Sequence, residues 1–218
     1  MSDPAVDAAD ARMLPPTRMS AAPPLGPSTA LSLPNLLTYA RVAAVPLVVA
    51  LLFWPQDLRA RWAVLFLYSA AAITDYLDGY LARAYGQQSI LGRMLDPIAD
   101  KLLVSACLLM LAADGTIWGW SLWAAIVILC REILVSGMRE FLAELKVSLP
   151  VSRVAKWKTV VQLVAVGFLI AGPAGETILP GTILIGLVLL WLAALLTIYT
   201  GWDYLRTGLR YVIEERAP

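Results

Sequence analysis

The chain has 218 residues, of which 60% are hydrophobic, and its mean hydropathy is +0.72. A soluble domain is roughly 45–50% apolar, so this composition excludes an ordinary soluble protein and predicts an integral membrane protein. A formal charge of only +1 suggests no nucleic-acid partner. The sequence contains no histidine, so acid–base chemistry must rest on carboxylates, lysine, tyrosine or water.

Two regions are expected along the chain. Residues 1–30 contain six prolines and no long apolar run, which predicts a disordered cytoplasmic tail. Residues 31–218 form the second region, an all-α integral membrane domain with six membrane-spanning helices. The apolar segments that predict these helices lie near residues 36–54, 62–82, 95–113, 118–142, 157–171 and 178–202.

Lysine and arginine predict the orientation of this bundle. With the N-terminus in the cytoplasm, the outside loops hold only Arg59 and Arg61. Basic residues favour the cytoplasmic side of membrane proteins, so we expect a multi-pass protein of a bacterial-type inner membrane with both termini cytoplasmic. The twelve inside residues are Arg12, Arg18, Arg83, Arg93, Arg139, Lys146, Arg153, Lys156, Lys158, Arg206, Arg210 and Arg216.

Four carboxylates interrupt the second and third apolar segments. Asp75 and Asp78 are i,i+3 neighbours and Asp96 and Asp100 are i,i+4 neighbours, so each pair projects from one helix face. A carboxylate inside a membrane costs roughly 3 kcal/mol, and four around one space would repel each other. Magnesium and manganese prefer oxygen ligands and commonly bind with phosphates, so the pattern predicts a Mg²⁺ or Mn²⁺ site.

The residues beside these carboxylates favour a pyrophosphate substrate. Gly79 removes a side chain where a ligand could approach the backbone, Ala82 keeps the same face small, and Arg83 can contact a phosphate. The alternative is that the carboxylates form buried ion pairs with Arg83, Arg93 and Lys101. Two neighbouring helices with paired acids at this spacing favour the metal site, facing the cytoplasm.

This stretch resembles the signature of the CDP-alcohol phosphotransferases. The resemblance implies six transmembrane helices, commonly a homodimer, and two-metal transfer of a phosphatidyl or related group from a CDP-linked donor. It implies that Asp75, Asp78 and Asp96 are metal ligands. Asp100 would be a ligand or the base for the acceptor hydroxyl. The remaining signature positions, which would contact the CDP group, are Gly79, Ala82, Arg83 and Gly92.

The start of the first helix extends the resemblance. Asn35, Thr38 and Arg41 lie at i, i+3 and i+6, so they share roughly one helical face. In the family this polar face borders the nucleotide, which implies CDP binding. By themselves, Asn35 could cap the helix and Arg41 could extend to the membrane interface.

The acceptor is predicted from the fourth and fifth helices. Arg131 lies about twelve residues into an apolar segment, and an arginine at that depth normally faces the bundle interior or a polar cavity. Together Arg131, Arg139, Lys156 and Lys158 predict a pocket for an anionic acceptor phosphate. Three of them, Arg139, Lys156 and Lys158, could instead merely follow the positive-inside rule.

The strings Arg-Glu-Ile-Leu and Lys-Trp-Lys-Thr in these helices resemble the branch of the family that makes phosphatidylglycerol phosphate, whose acceptor is glycerol 3-phosphate. The hypothesis is therefore phosphatidyl transfer from CDP-diacylglycerol, with Asp100 as base. Other acceptors within the family are inositol phosphate, phosphatidylglycerol and serine. Intramembrane prenyltransferases also use aspartate pairs with magnesium, but the single Asp-Gly-x2-Ala-Arg register argues against them. A cation-coupled transporter would leave Gly79 and Arg83 unexplained.

Overall fold

The computed structural model describes residues 33–54, 57–85, 90–144 and 153–214. The tail predicted for residues 1–30 therefore lies outside the described residues. The described ranges contain six helices and no strand, which confirms the all-α prediction. The helices are α1 (Leu33–Leu52), α2 (Leu58–Tyr85), α3 (Ile90–Ala113), α4 (Ser121–Glu144), α5 (Arg153–Glu176) and α6 (Thr182–Glu214).

Each predicted apolar segment coincides with one helix, and most ends agree within a few residues. The largest difference is at α6, which continues twelve residues beyond the predicted end at residue 202. Among the described residues, four spans are long and apolar enough to cross a membrane: Asn35–Leu52, Ser121–Leu142, Lys156–Glu176 and Thr182–Arg206. Helices α2 and α3, which carry the signature aspartates, are not among these four, so six membrane crossings remain a prediction.

The helices pack around one apolar core. Helix α6 packs along α5 and α4, α1 packs against α3 and α2, and α2 packs against α5. Large apolar side chains also cover outward faces, as expected for a bundle whose solvent is lipid. Fully buried core residues include Val48, Val64, Leu108, Leu111, Ile128, Leu169 and Leu190, and exposed apolar residues include Phe66, Ile133, Leu184, Val188 and Leu195.

A polar joint holds α2 to the end of α5. Arg61 was expected in an outside loop, but it lies within α2, where only 2% of its side chain is exposed. Its Nη2 forms a 2.5 Å ion pair with Asp114 and donates to the Thr116 hydroxyl at 3.2 Å. Its Nη1 donates to the carbonyls of Leu169 and Ile170 at 3.4 and 3.3 Å. The loop assignment was wrong because α2 begins at Leu58, where Asp57 accepts hydrogen bonds from the Arg59 and Ala60 N–H groups.

The backbone of α5 explains why those carbonyls accept hydrogen bonds from Arg61. Pro173 has no N–H, so the Leu169 carbonyl four residues earlier loses its helical partner. Gly172 breaks the helix with φ of 40°, a left-handed value that favours glycine. Gly172 and Pro173 thus kink α5, and Arg61 donates hydrogen bonds to carbonyls at this kink.

Candidate active site

An ion pair joins α1 to the signature stretch of α2. The Arg41 Nη1 lies 2.8 Å from the Asp75 Oδ1. Only 1% of the Arg41 side chain is exposed, whereas 40% of the Asp75 side chain is exposed. Asn35 and Thr38 are also buried, so the predicted polar face of α1 is turned into the bundle. Snorkelling of Arg41 to the membrane interface is excluded, because its guanidinium points inward to Asp75.

The signature carboxylates lie on helical backbone at the end of α2 and the start of α3. Asp75 and Asp100 are partly buried, and both belong to the described residues. Asp100 lies within electrostatic range of the Tyr68 hydroxyl and the Lys158 ammonium. The side chains of Asp78, Gly79, Ala82, Arg83, Gly92, Arg93 and Asp96 lie outside the described part of the structure.

The donor chemistry of these helices fits a hard divalent cation. All four signature carboxylates are aspartates, and carboxylate oxygens are the ligands that magnesium and manganese prefer. Within the described residues no group of three or more His, Cys, Asp or Glu side chains is close enough to bind a metal. Two of the four expected ligands fall outside that part of the chain, so the four-carboxylate cluster stays a prediction.

A cluster of charges joins α4 and α5 around Glu132. The Lys158 ammonium and the Arg131 Nη1 both contact the Glu132 Oε1, the latter at 3.3 Å. The Arg131 Nη2 donates to the Thr200 hydroxyl of α6 at 3.1 Å. Both cations are largely buried, with 13% of the Arg131 side chain and 5% of the Lys158 side chain exposed. We call Arg131, Glu132 and Lys158 the basic cluster.

Arg139 joins this cluster through an aromatic ring, whereas Lys156 does not. The Arg139 Nη2 donates to the Tyr204 hydroxyl at 2.8 Å. The guanidinium carbons of Arg139 and Arg131 lie 5.0 and 5.8 Å from the centroid of the Tyr204 ring. Lys156 is exposed on α5. The structure therefore brings together three of the four basic residues predicted for the acceptor pocket, Arg131, Arg139 and Lys158.

Three buried polar atoms on α4, α5 and α6 have no hydrogen-bond partner within the described part of the chain. They are Arg131 Nε, Gln162 Oε1 and Thr197 Oγ1. Gln162 is one helical turn beyond Lys158, and Thr197 is one turn before Gly201, which packs against Arg131. Buried polar atoms normally have partners, so these three atoms leave hydrogen-bonding capacity on the helices of the basic cluster that a polar ligand or water could use.

An apolar groove of about 450 Å³ opens between α2 and α5. Its walls include Tyr68, Ile73, Leu163 and Phe168, and Gly167 widens it on the α5 side. The groove reaches Ile73, two residues before Asp75 in the sequence of α2. Its lining is almost entirely apolar, so a hydrocarbon chain could lie in it.

Sequence reasoning missed the contribution of Glu132 and of α6. Glu132 was noted only as part of a resemblance string, although it is the shared partner of Arg131 and Lys158. On α6, polar residues interrupt an otherwise apolar helix at positions 197, 200 and 204. This i, i+3, i+7 spacing places them on one face, and it is the signal that could have identified Thr200 and Tyr204.

Comparison with known proteins adds evidence independent of this geometry. The model of the CDP-alcohol phosphatidyltransferase family matches residues 31–199. A protein of Rickettsia bellii, named CDP-diacylglycerol–glycerol-3-phosphate 3-phosphatidyltransferase, is 45% identical over 180 residues, covering 83% of this chain and 97% of its own length.

Two more distant relatives extend the same similarity. A protein of Cereibacter sphaeroides with the same name is 37% identical over 218 residues, covering 85% of this chain and 99% of its own length. In Arabidopsis thaliana, CDP-diacylglycerol–glycerol-3-phosphate 3-phosphatidyltransferase 2 is 37% identical over 201 residues, covering 86% of this chain and 84% of its own length. The matches span both the signature helices and the helices of the basic cluster.

Proposed function

This chain belongs to the CDP-alcohol phosphatidyltransferase family, and we propose that it transfers a phosphatidyl group from CDP-diacylglycerol to sn-glycerol 3-phosphate. The products are phosphatidylglycerol phosphate and CMP. Relatives that match most of this chain are named for this reaction, which supports the proposal. The choice of acceptor rests on the basic cluster. The buried Nε of Arg131 has no hydrogen-bond partner among the described residues, and an arginine of this kind suits the phosphate of a phosphorylated alcohol.

The carboxylates Asp75, Asp78, Asp96 and Asp100 would hold two divalent cations, Mg²⁺ or Mn²⁺. Family members generally depend on divalent metal. When bound, the cations would neutralise charge on the phosphates of the donor. The other donor residues in this proposal are Asn35, Thr38, Arg41, Gly79, Ala82, Arg83 and Gly92, which would contact the CDP group.

Asp100 is proposed as the base. The 1-hydroxyl oxygen of glycerol 3-phosphate forms a bond to the phosphorus that carries diacylglycerol, and the bond between that phosphorus and the CMP oxygen breaks. The hydroxyl proton passes to the Asp100 carboxylate. Lys158 lies in electrostatic range of Asp100, which supports an acceptor bound between the basic cluster and this carboxylate.

The acceptor phosphate would bind at the basic cluster and Arg139. The Arg131 Nη1 donates to Glu132 and its Nη2 donates to Thr200. These two contacts fix the direction of the Nε–H, which has no partner among the described residues. Glu132 lowers the net charge of the cluster and holds both cations at one carboxylate oxygen. Lys156, which is exposed, would act by attracting the anionic acceptor rather than by binding it at the site.

The apolar groove supports the lipid part of the donor. We propose that one acyl chain of CDP-diacylglycerol lies against Ile73, Leu163 and Phe168. Replacing Gly167 with leucine should fill the groove, because a side chain there meets only Leu65 at an ordinary 3.8 Å contact. This substitution should raise the KM for CDP-diacylglycerol several-fold and leave the KM for glycerol 3-phosphate unchanged. Val188→Phe on an exposed, lipid-facing surface of α6 is the matched control.

The setting of the enzyme is also part of the proposal. Positive residues at the predicted inner side support an active site that faces the cytoplasm, in a bacterial-type inner membrane. The family resemblance supports a homodimer. In a variant whose Cys107 and Cys130 are replaced by alanine, the accessibility of a single cysteine introduced at residue 59 or 139 would test the sidedness, because the two positions should be labelled from opposite sides.

The reaction is tested by supplying purified enzyme, CDP-diacylglycerol and magnesium with one acceptor at a time. The panel is glycerol 3-phosphate, inositol phosphate, serine and phosphatidylglycerol, and the phospholipid product is identified by mass. Only glycerol 3-phosphate should give product and release CMP. Asp100→Asn and Asp96→Asn should each abolish CMP release, and near-normal turnover in both variants would contradict the carboxylate site.

A further inference from the structure

One face of α6 fits the arginines of α4. Thr200 accepts a hydrogen bond from Arg131, and Tyr204, one turn later, contacts both Arg131 and Arg139. Between them, Gly201 leaves space for the Arg131 stem, since a Cβ at this position would lie only 3.1 Å from the Arg131 Cγ. Residues 200, 201 and 204 of α6 therefore all lie against the arginines of α4.

Tyr204 brings together two cations that α4 alone would keep apart. Arg131 and Arg139 are eight residues apart, a separation of about 12 Å along the helix axis. Nevertheless, both guanidinium carbons lie within 5.8 Å of the same ring centroid. The Tyr204 hydroxyl also accepts from Arg139 at 2.8 Å, and the tyrosine is only 6% exposed. Both arginines of α4 therefore share Tyr204 as a contact on α6.

The ring is suited to hold two like charges near each other. The π face of an aromatic ring attracts a guanidinium, which offsets part of the repulsion between the two cations. Glu132 offsets the charge of Arg131 from its other side. Both arginines then remain in one region before any anion arrives, and little reorganisation is needed when a phosphate binds.

We infer that Tyr204 is a positioning residue of the acceptor site, which holds Arg131 and Arg139 so that both can face one phosphate group. This inference rests on the proposed function, because that function places the acceptor phosphate at these arginines. It extends the function to α6, where the tyrosine ring selects a phosphorylated acceptor indirectly, by fixing the two cations that bind it.

The test separates the ring from the hydroxyl. Tyr204→Phe keeps the ring and loses the hydrogen bond to Arg139, and it should raise the KM for glycerol 3-phosphate about threefold. Tyr204→Leu loses both, and it should raise that KM about tenfold or more. The KM for CDP-diacylglycerol and kcat should stay within about twofold of the parent values. Tyr199→Leu is the control, since Tyr199 lies on the same helix with 68% exposure.

Inorganic phosphate provides a second readout. It should inhibit the parent enzyme competitively against glycerol 3-phosphate, and Tyr204→Leu should weaken this inhibition by the same factor that raises the acceptor KM. If Tyr204→Leu fails to fold, Tyr204→Phe and Tyr204→Trp still test the proposal. The tryptophan variant keeps an aromatic face, so its acceptor KM should remain below ten times the parent value.

Two results would overturn the inference. The first is an unchanged acceptor KM in both Tyr204→Phe and Tyr204→Leu. The second is an equal rise of donor and acceptor KM together with a lower unfolding temperature, which a purely structural tyrosine would produce. Failure of the proposed function would look different, because the unmodified enzyme would then give no product with glycerol 3-phosphate.

Discussion

Arg61 is buried, Arg131 is largely buried, and both pair with a carboxylate, but their surroundings differ. Arg61 donates from both Nη atoms to Asp114, Thr116 and two backbone carbonyls at the kink of α5. Arg131 uses its Nη atoms on Glu132 and Thr200, and its Nε has no partner among the described residues. The two sites also lie at different depths in the bundle. Lys158 of the basic cluster and Leu169, which accepts a hydrogen bond from Arg61, are about 16 Å apart along α5.

The difference separates an arginine that holds helices together from one that can bind a ligand. The environment of Arg61 is filled by acceptors from two parts of the fold, the turn after α3 and the kink of α5, which makes it a structural joint. Around Arg131, a shared carboxylate and a tyrosine ring hold the guanidinium while hydrogen-bonding capacity remains. Burial and charge pairing alone would not distinguish them, because both features are common to the two sites.

Arg61→Ala should have the largest effect on stability. The substitution leaves Asp114 buried without its cation and two carbonyls without donors, which should lower the free energy of unfolding by about 3–5 kcal/mol. Thermal unfolding of the detergent-solubilised protein measures this loss. Arg59→Ala, on the exposed surface two residues earlier, should have little effect. Equal stability of the two variants would contradict a structural joint at Arg61.

Gly172→Ala should damage the same joint by a different route. A Cβ at Gly172 would lie 2.7 Å from the Arg61 Nη1, and φ of 40° is strained for alanine. We expect a loss of about 2–4 kcal/mol in the free energy of unfolding. Gly181→Ala is the matched control, because Gly181 has φ of 90° but no atom within 4 Å of the added Cβ. We expect Gly181→Ala to lower the free energy of unfolding by only about 1–2 kcal/mol. The difference between the two variants would then measure the steric clash between the Gly172→Ala Cβ and Arg61.

Arg131→Lys should change binding more than stability. Lysine keeps the charge but loses the forked guanidinium contacts, so the KM for glycerol 3-phosphate should rise about 10–100-fold. Glu132 keeps Lys158 as a partner, and the unfolding temperature should therefore fall less than in Arg61→Ala. Arg61→Lys should give the opposite result, with lower stability and an unchanged ratio of acceptor to donor KM. Identical profiles for the two lysine variants would remove the distinction.

Gly201→Ala should have the smallest effect. The added Cβ lies 3.1 Å from the Arg131 Cγ, so the arginine stem must shift by a few tenths of an ångström. The acceptor KM should rise about two- to fivefold, because a small displacement weakens an oriented contact. Gly137→Ala on α4 meets no atom within 4 Å and should leave the acceptor KM unchanged. A similar KM in both variants would show that the stem of Arg131 tolerates movement.

Periodicity predicted the helices and one polar face on α1, but not the partners of that face. The i, i+3, i+6 pattern of Asn35, Thr38 and Arg41 indicated one polar face, and all three are buried. The contact between Arg41 and Asp75 was not predicted, because it depends on how α1 packs against α2. The CDP-binding roles of these residues, and the metal roles of the aspartates, stay predictions.

The acceptor side shows a similar limit. The depth of Arg131 in an apolar helix predicted that it would face a polar interior, and its contacts with Glu132 and Thr200 agree. Lys158 was expected as one of several surplus cations, but in the structure it is neutralised by Glu132. A helical pattern gives the face of one helix, whereas the pairing of charges depends on the neighbouring helix and its rotation.

The joint at Arg61 also implies an order of assembly during synthesis. Asp114 follows Arg61 by 53 residues, whereas the Leu169 and Ile170 carbonyls follow it by 108 and 109 residues. A chain that emerges from the N-terminus first can pair the arginine with its carboxylate long before the kinked helix exists. We therefore expect the Arg61–Asp114 ion pair to form early and α5 to complete the joint. Chains truncated after residue 144 should retain the first contact and be more sensitive to protease than the full chain.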